Sequence, residues 1–171
     1  MTNLIFLTGN KQTGKTTTLQ NWIASQQNIA GILTPLVNGK RCFYDIATQQ
    51  FSNMEVDEFA TPADVILTVG KYFFSKENFI NASQVLMAAT VDETLNYLII
   101  DEIGPLELHQ QKGFYEALLF VIENIPATTI LIIVVRPNCI NDLQALASSF
   151  KKQSVVYSID DFKAKVINSS S

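Results

Sequence analysis

The sequence has little charge and no concentration of it. Of its 171 residues 16% are charged, and 12 Lys and Arg against 16 Asp and Glu give a net charge of −4. Proteins that bind along a nucleic-acid backbone neutralise phosphates with clustered basic residues, and the sequence shows no such cluster. A general nucleic-acid binder is therefore not expected. The 47% hydrophobic content instead predicts a folded chain with a substantial core.

Cysteines and long apolar runs are also scarce. Cys42 and Cys139 lie far apart and form no C-x-x-C or metal-ligand pattern, so a disulfide framework is not indicated. No stretch approaches the roughly 20 apolar residues of a membrane span, and residues 1–3 lack the basic start of a signal peptide. We therefore expect a cytoplasmic protein with a single domain over residues 1–171, in which residues 168–171 form a frayed tail.

The most informative segment follows a short apolar run near the start of the chain. Residues 9–16 read G-N-K-Q-T-G-K-T, a complete G-x-x-x-x-G-K-[ST] pattern between a predicted strand at 4–8 and a predicted helix at 15–27. A glycine-rich turn in this position aims backbone N–H groups at a phosphate near the positive end of the helix. Lys15 would reach the β- and γ-phosphates, and the Thr16 hydroxyl would ligate Mg²⁺. The predicted nucleotide-binding residues are Gly9, Asn10, Lys11, Gln12, Thr13, Gly14, Lys15, Thr16 and Thr17.

A second motif indicates what the bound phosphates are used for. Residues 95–108 read L-N-Y-L-I-I-D-E-I-G-P-L-E-L, an apolar strand that ends in two adjacent carboxylates. In a phosphate-loop protein Asp101 would hold a water on Mg²⁺. Glu102, on the other side of the strand's exit, would orient and deprotonate an attacking water. The pair favours hydrolysis, because a kinase that transfers phosphate to another substrate has less need of a base for water.

Strand candidates alternate with helix candidates along most of the chain. The main predicted helices after the phosphate loop lie at 75–90, with Ser75 as its N-cap, at 114–124 and at 141–150. The β-branched run at 128–135 predicts a buried strand, and shorter strands are predicted at 29–34, 65–68 and 155–159. This alternation predicts an α/β fold of three layers, with a central, mostly parallel sheet and the ligand at the carboxyl ends of its strands. Because the two motifs lie far apart, an additional strand is expected between them in the sheet, as in the additional-strand catalytic-glutamate class of P-loop ATPases.

Two segments outside these motifs carry basic candidates. Residues 37–47 predict a small β-hairpin insertion that turns at Asn38-Gly39. Its Arg41 either contacts phosphate or base, or is a solvated surface residue. Arg136 follows the strand predicted at 128–135. It either reaches the same edge as Asp101 and stabilises the γ-phosphate during its transfer, or is a surface arginine at a strand end.

Four segments occur in the order and context of one small family. They are G-N-K-Q-T-G-K-T-T at 9–17, G-K-R-C-F-Y-D-I at 39–46, V-G-K-Y at 69–72 and I-D-E-I-G-P-L-E-L at 100–108. In them the chain resembles the cancer-related nucleoside-triphosphatase family of compact P-loop enzymes. The resemblance covers roughly the first four fifths of the chain. It implies hydrolysis of ATP, GTP and other nucleoside triphosphates with little base preference.

The chain departs from this family's pattern at three places. The family's loop usually carries a Pro-Gly pair where this sequence has Asn10-Lys11-Gln12. An acidic residue is usual after the strand before the hairpin, where this sequence has Thr34-Pro35-Leu36. A basic residue is usual before V-G-K-Y, where Thr68 stands. The departures bear on base recognition and turnover, while the phosphate and Mg²⁺ residues are intact.

Together the motifs predict a Mg²⁺-dependent hydrolase of nucleoside triphosphates. Glu102, Lys15 and Arg136 are its predicted catalytic residues, and Thr16 and Asp101 its predicted metal ligands. Two alternatives stay open: a P-loop kinase for a nucleotide or small molecule, and a nucleotide-dependent switch subunit that acts through a partner. The expected partners are nucleoside triphosphates, without nucleic acid or membrane, and the expected state is a monomer or small homo-oligomer.

Overall fold

The computed structural model describes residues 3–10, 13–57, 62 and 66–168. The strands are β1 (Leu4–Leu7), β2 (Ile29–Leu33), β3 (Leu36–Val37), β4 (Lys40–Asp45), β5 (Gln50–Asn53), β6 (Ile66–Val69), β7 (Tyr72–Ser75), β8 (Tyr97–Ile103), β9 (Ile130–Val135) and β10 (Ser154–Tyr157). The α-helices are α1 (Lys15–Ile23), α2 (Lys76–Ala89), α3 (Pro105–Leu108), α4 (Tyr115–Asn124), α5 (Ile140–Ser149) and α6 (Ile159–Phe162). A 3₁₀ turn (Pro137–Cys139) precedes α5, and a π-helical turn (Lys163–Ile167) follows α6.

The main sheet is mostly parallel, in the order β10-β1-β9-β8-β2-β4-β3, with β5 paired to β4. The first five strands in this order are parallel to one another, from β10 to β2, whereas β4 is antiparallel to β2. Strand β9 separates β1, which precedes the phosphate loop, from β8, which carries the two carboxylates. This confirms the additional strand expected between the two motifs.

The sheet is covered by helices on both faces because its central strands are apolar on both faces. In β9, Leu131, Ile133 and Val135 pack in a cluster with α2, α4 and α5, while Ile132 and Val134 pack in a second cluster with α1 and α6. Burial of each such side chain contributes about 1.5–3 kcal/mol. The predicted three-layer α/β arrangement is confirmed.

The β3–β4 hairpin turns at the predicted residues. Asn38 has φ 51° and Gly39 has φ 79°, the left-handed pair that a two-residue turn of type I′ requires. The hairpin is also part of the main sheet, since β4 pairs with β2. Phe43 on β4 packs against Phe79 and Phe114, with ring centroids 4.9 and 5.5 Å away. These contacts anchor the hairpin to the helical layer.

Two short strands were not predicted from the sequence. Strand β5 pairs with β4, although all four of its residues are exposed. Strand β7 pairs with β6 in a separate two-stranded sheet. The strand predicted at 65–68 lies at 66–69, and its first predicted residue falls outside the described residues.

The start of α2 follows the predicted capping. Ser75 was expected to be its N-cap, and the backbone N–H of Asn78 donates to Ser75 Oγ at 3.2 Å.

In the part of the chain that the structure describes, no helix combines the length and apolar content needed to cross a bilayer.

Candidate functional site

The phosphate loop connects β1 to α1. Gly14 is the N-cap residue of α1, with φ 77°, and Gly9 has φ 154°. Lys15 Nζ donates to the carbonyl oxygens of Gly9 at 2.9 Å and Asn10 at 2.7 Å, and to Thr13 Oγ1 at 3.1 Å. The loop thus holds its lysine over the turn that would surround a phosphate. Burial lowers the pKa of Lys15, an effect that the carboxylates near it oppose.

The described residues predicted to bind nucleotide line one open pocket of about 940 Å³, which also contains Asp101, Glu102 and Arg136. Lys11 and Gln12, which were also predicted to bind nucleotide, lie outside the described residues. A larger groove of about 1120 Å³ lies between α1, α2 and β4. No lysine, arginine or histidine is among the described residues that line that groove, so the smaller pocket is the better site for an anion.

Asp101 joins the two motifs. Its side chain is almost fully buried, and Oδ2 accepts a hydrogen bond from Thr16 Oγ1 at 2.9 Å. The same oxygen accepts from the backbone N–H of Thr34 at 3.0 Å and from Thr34 Oγ1 at 3.1 Å. The predicted metal ligands, 85 residues apart in sequence, are therefore in direct contact.

A β-bulge sets the direction of Glu102. Ile100 pairs with Ile133 of β9, but Ile103 pairs with Val135, so three steps along β8 match two along β9. Glu102 has φ 68°, a left-handed conformation that costs a residue other than glycine about 1–2 kcal/mol. The bulge turns Glu102 into the same pocket as Asp101. The expectation that Glu102 lies on the other side of the strand's end from Asp101 is wrong, because the bulge makes the strand irregular there.

Among the described residues, the Glu102 carboxylate has three side-chain partners. Oε2 lies 2.6 Å from Arg41 Nη1 and accepts a hydrogen bond from Thr34 Oγ1 at 3.1 Å. Oε1 lies 3.4 Å from Arg136 Nη2. The pKa of Glu102 is raised, mainly because the carboxylate is buried, and Asp101 adds to the rise. Arg41, Arg136 and the Thr34 hydroxyl oppose it. The two guanidinium groups thus partly offset the cost of burying this carboxylate.

Arg136 lies at the same edge of the sheet as Asp101, as one of its two sequence interpretations required. It directly follows β9, and its backbone N–H donates to the carbonyl oxygen of Ile103 at 3.0 Å. Its side chain crosses Gly104, where an added Cβ would lie 3.1 Å from Arg136 Cδ and 3.2 Å from Nε. The glycine of the D-E-I-G segment therefore leaves room for the arginine that contacts Glu102.

Thr34 is a site residue that the sequence reasoning missed. It is 1% exposed and contacts both Asp101 and Glu102. Its hydroxyl has one hydrogen to donate, so it bonds one carboxylate at a time or shares that hydrogen. The sequence held one signal, since Thr34 begins the segment where the family that the chain resembles usually has an acidic residue. In the structure Thr34 directly follows β2, whose carboxyl end adjoins that of β8.

Glu107 has a different role from the other acidic residues of its segment. It is 3% exposed, and its oxygens accept hydrogen bonds from the backbone N–H groups of Gly104 at 3.1 Å and Phe114 at 3.3 Å. Burial raises the pKa of Glu107 to about 7, although these two N–H groups lower it. Glu107 thereby ties the segment after Glu102 to the start of α4.

A phosphate loop after β1, an acidic pair at the end of β8 and an intervening β9 define a P-loop NTPase fold. The chain belongs to the NTPase family, whose model matches residues 4–168. No protein with a curated description matches it.

Two solved structures share this fold. The crystal structure of THEP1 from the hyperthermophile Aquifex aeolicus has 18% identity and a TM-score of 0.68, over 98% of this chain and 95% of that chain. The solution structure of a human cancer-related nucleoside triphosphatase has 19% identity and a TM-score of 0.70, over 98% of this chain and 97% of that chain. The family inferred from the four sequence segments is confirmed.

Proposed function

We propose that the protein hydrolyses nucleoside triphosphates to nucleoside diphosphate and phosphate, with Mg²⁺ and with several bases. The observation that carries this proposal is the convergence of Lys15, Thr16, Asp101, Glu102 and Arg136 on one pocket. A cation, a hydroxyl beside a carboxylate, and a second carboxylate are the groups that triphosphate hydrolysis needs. Membership of the NTPase family supports the same reaction.

The residues present fit a Mg²⁺ ion. The Thr16 hydroxyl and Asp101 Oδ2 are hard oxygen donors 2.9 Å apart, so Thr16 would ligate the ion directly and Asp101 through water. Bound Mg²⁺ would neutralise charge on the β- and γ-phosphates. Within the described ranges no group of three or more His, Cys, Asp or Glu is gathered as a metal centre. The proposed ion would therefore rely on phosphate oxygens and water for its other ligands.

The protein groups divide the remaining work. Lys15 and the loop N–H groups bind the phosphate oxygens, and Arg136 stabilises negative charge as the terminal phosphate is transferred. Glu102 accepts a proton from the attacking water while the water oxygen bonds to the γ-phosphorus. The bond from that phosphorus to the bridging oxygen breaks, and its electron pair remains with the nucleoside diphosphate.

Use of several bases is the finer part of the proposal. The solved human structure is described as a nucleoside triphosphatase, a name that specifies no base. We extend that breadth to this chain because it belongs to the same family and conserves the general phosphate-binding pattern at residues 9–16.

The test is phosphate release from ATP, GTP, CTP and UTP with and without Mg²⁺, for the wild type and Glu102→Gln. We expect Mg²⁺-dependent release from several substrates, a loss of about 100-fold or more in the variant, and unchanged affinity for ADP. Glu123→Gln makes the same atom exchange at an exposed position of α4 and should behave as the wild type.

Three outcomes would contradict this proposal. Undiminished release by Glu102→Gln would remove the residue from the base role. Loss of ADP affinity in that variant would make Glu102 a binding residue. Tight triphosphate binding with no phosphate release by the wild type would favour a kinase, if phosphate passes to an added acceptor, or a partner-dependent switch.

A further inference from the structure

We propose that Arg41 is a positioning residue for Glu102, so that one side chain of the β3–β4 hairpin supports catalysis. This inference rests on the proposed function, in which Glu102 accepts the proton of the attacking water. Neither the phosphate loop nor the acidic segment contains Arg41. It reaches Glu102 from β4, which is separated from the loop strand β1 by β9, β8 and β2 in the main sheet.

The contact between Arg41 and Glu102 is the closest that the carboxylate makes. Arg41 Nη1 lies 2.6 Å from Oε2, whereas Arg136 Nη2 lies 3.4 Å from Oε1. The Arg41 side chain is 33% exposed and that of Glu102 is 20% exposed, so solvent only partly screens the pair. The Arg41 guanidinium also lies 3.4 Å from the carbonyl oxygen of Thr34. Thr34 itself donates to Oε2, so the two residues support each other on one side of the carboxylate.

The backbone of Arg41 is fixed on both sides of its strand. Its N–H donates to Glu55 Oε2 at 3.2 Å, and its carbonyl oxygen accepts from the N–H of Glu55 at 3.0 Å. On the other side Leu36 pairs with Arg41, and the N–H of Cys42 donates to the carbonyl oxygen of Pro35 at 3.0 Å. A side chain presented from such a strand can hold its partner in one orientation, as a positioning role requires.

The geometry assigns different roles to the two oxygens of Glu102. Arg41 and Thr34 both bind Oε2, whereas the 3.4 Å approach of Arg136 to Oε1 is too long for a strong hydrogen bond. Oε1 is therefore the oxygen that accepts the water proton. The water oxygen bonds to the γ-phosphorus, and the leaving diphosphate keeps the electron pair of the bond that breaks. Arg41 acts by holding the carboxylate so that Oε1 faces that water.

The neighbouring residue supplies a matched control. Lys40 is also cationic and also lies on β4, but its Nζ pairs with Asp57 at 2.7 Å on the exposed surface. Adjacent residues of a strand point to opposite faces, so Lys40 does not share the orientation of Arg41. Lys40→Met therefore removes one positive charge from the hairpin without touching the Glu102 carboxylate.

The experiment measures kcat and KM for MgATP and the affinity for MgADP in four proteins. In Arg41→Met we expect kcat to fall about 10- to 100-fold while the affinity for MgADP is unchanged. Arg41→Lys should recover part of kcat, because an ammonium group can reach one carboxylate oxygen but not bind as a planar fork. Lys40→Met should match the wild type in all three quantities. Retained affinity for MgADP also shows that each variant is folded.

Two results in an active wild type would overturn the inference. One is a wild-type kcat in Arg41→Met with unchanged MgADP binding, which would leave Arg41 without a role in turnover. The other is a wild-type kcat with weaker MgADP binding, which would make Arg41 a nucleotide-binding residue. A wild type that releases no phosphate would instead refute the proposed function.

In that event a double-mutant cycle still tests the contact. The urea midpoint should fall less on Arg41→Met in a Glu102→Gln background than in the wild type. Equal shifts in both backgrounds would show that Arg41 does not hold Glu102, and would overturn the inference independently of activity.

Discussion

The buried carboxyl of Glu107 makes the stability of the fold depend on pH near neutrality. Burial raises its pKa in the folded protein to about 7, from an ordinary value of 4.5 that applies when the chain is unfolded. Between these values the folded state still binds the proton that the unfolded state has released. The favourable contribution is therefore complete below pH 4.5, decreases as pH rises, and is lost above about pH 7.

The size of this effect follows from the separation of the two pKa values. They differ by about 2.5, and each pKa unit corresponds to about 1.4 kcal/mol, so ionising Glu107 in the folded state costs about 3 kcal/mol. Between pH 5 and pH 8 the decrease should be about 2–3 kcal/mol. A domain is typically stable by about 5–15 kcal/mol, so this change is readily measured.

The assay is urea unfolding of the wild type and Glu107→Gln at intervals from pH 5 to pH 8. Glutamine cannot ionise, so the free energy of unfolding of the wild type minus that of the variant should fall by about 2–3 kcal/mol over this range. At pH 5 the variant should be the less stable protein. Its amide nitrogen would face the N–H of Gly104 or Phe114, both of which donate to Glu107.

Glu123→Gln controls for the same atom exchange and the loss of one formal charge at an exposed position of α4. A difference between wild type and Glu107→Gln that stays constant from pH 5 to pH 8 would refute the reasoning. It would show that the folded state does not retain the Glu107 proton.

Two further substitutions test the surroundings of Glu102. Thr34→Val keeps the shape of the side chain but removes the hydroxyl that contacts Asp101 and Glu102. We expect kcat to fall about tenfold in this variant, and Thr34→Ser should retain most of the wild-type kcat. Gly104→Ala places a Cβ 3.1 Å from Arg136 Cδ. We expect kcat to fall several-fold in that variant, while its free energy of unfolding changes by less than about 1 kcal/mol. Phosphate release and urea unfolding check both, and wild-type kcat in either variant would contradict the corresponding contact.

The sequence predicted those parts of the site that depend on the spacing of residues within one short segment. The pattern at residues 9–16 predicts a phosphate loop between a strand and a helix from its own spacing, and Asp101 follows an apolar run that predicts a buried strand. An additional strand between the two motifs was expected by analogy with one class of P-loop ATPases, and β9 occupies that place. Thr16 and Asp101 were both predicted as metal ligands from these features, and the structure places Thr16 Oγ1 and Asp101 Oδ2 in hydrogen-bond contact.

The parts that sequence did not predict depend on pairing between distant strands. The bulge at Glu102 exists only in the register of β8 against β9, and the residues of β8 do not specify that register. Arg41 reaches the site because β4 pairs with β2, a pairing that the turn at Asn38-Gly39 does not determine. Strand β5 was missed because three of its four residues are polar, and the single apolar residue, Phe51, gives no apolar alternation.

The residues that contact Glu102 are therefore determined by the order of the strands in the sheet. Strands β2, β8 and β9 are adjacent and parallel, and neighbouring strands lie about 4.8 Å apart. Thr34, Glu102 and Arg136 occupy the carboxyl ends of these three strands in that order, which brings their side chains within contact distance. Arg41 is added from β4, the next strand beyond β2. The acidic motif supplies the carboxylate, but the order of the strands selects its partners, and the partners determine which oxygen faces the pocket.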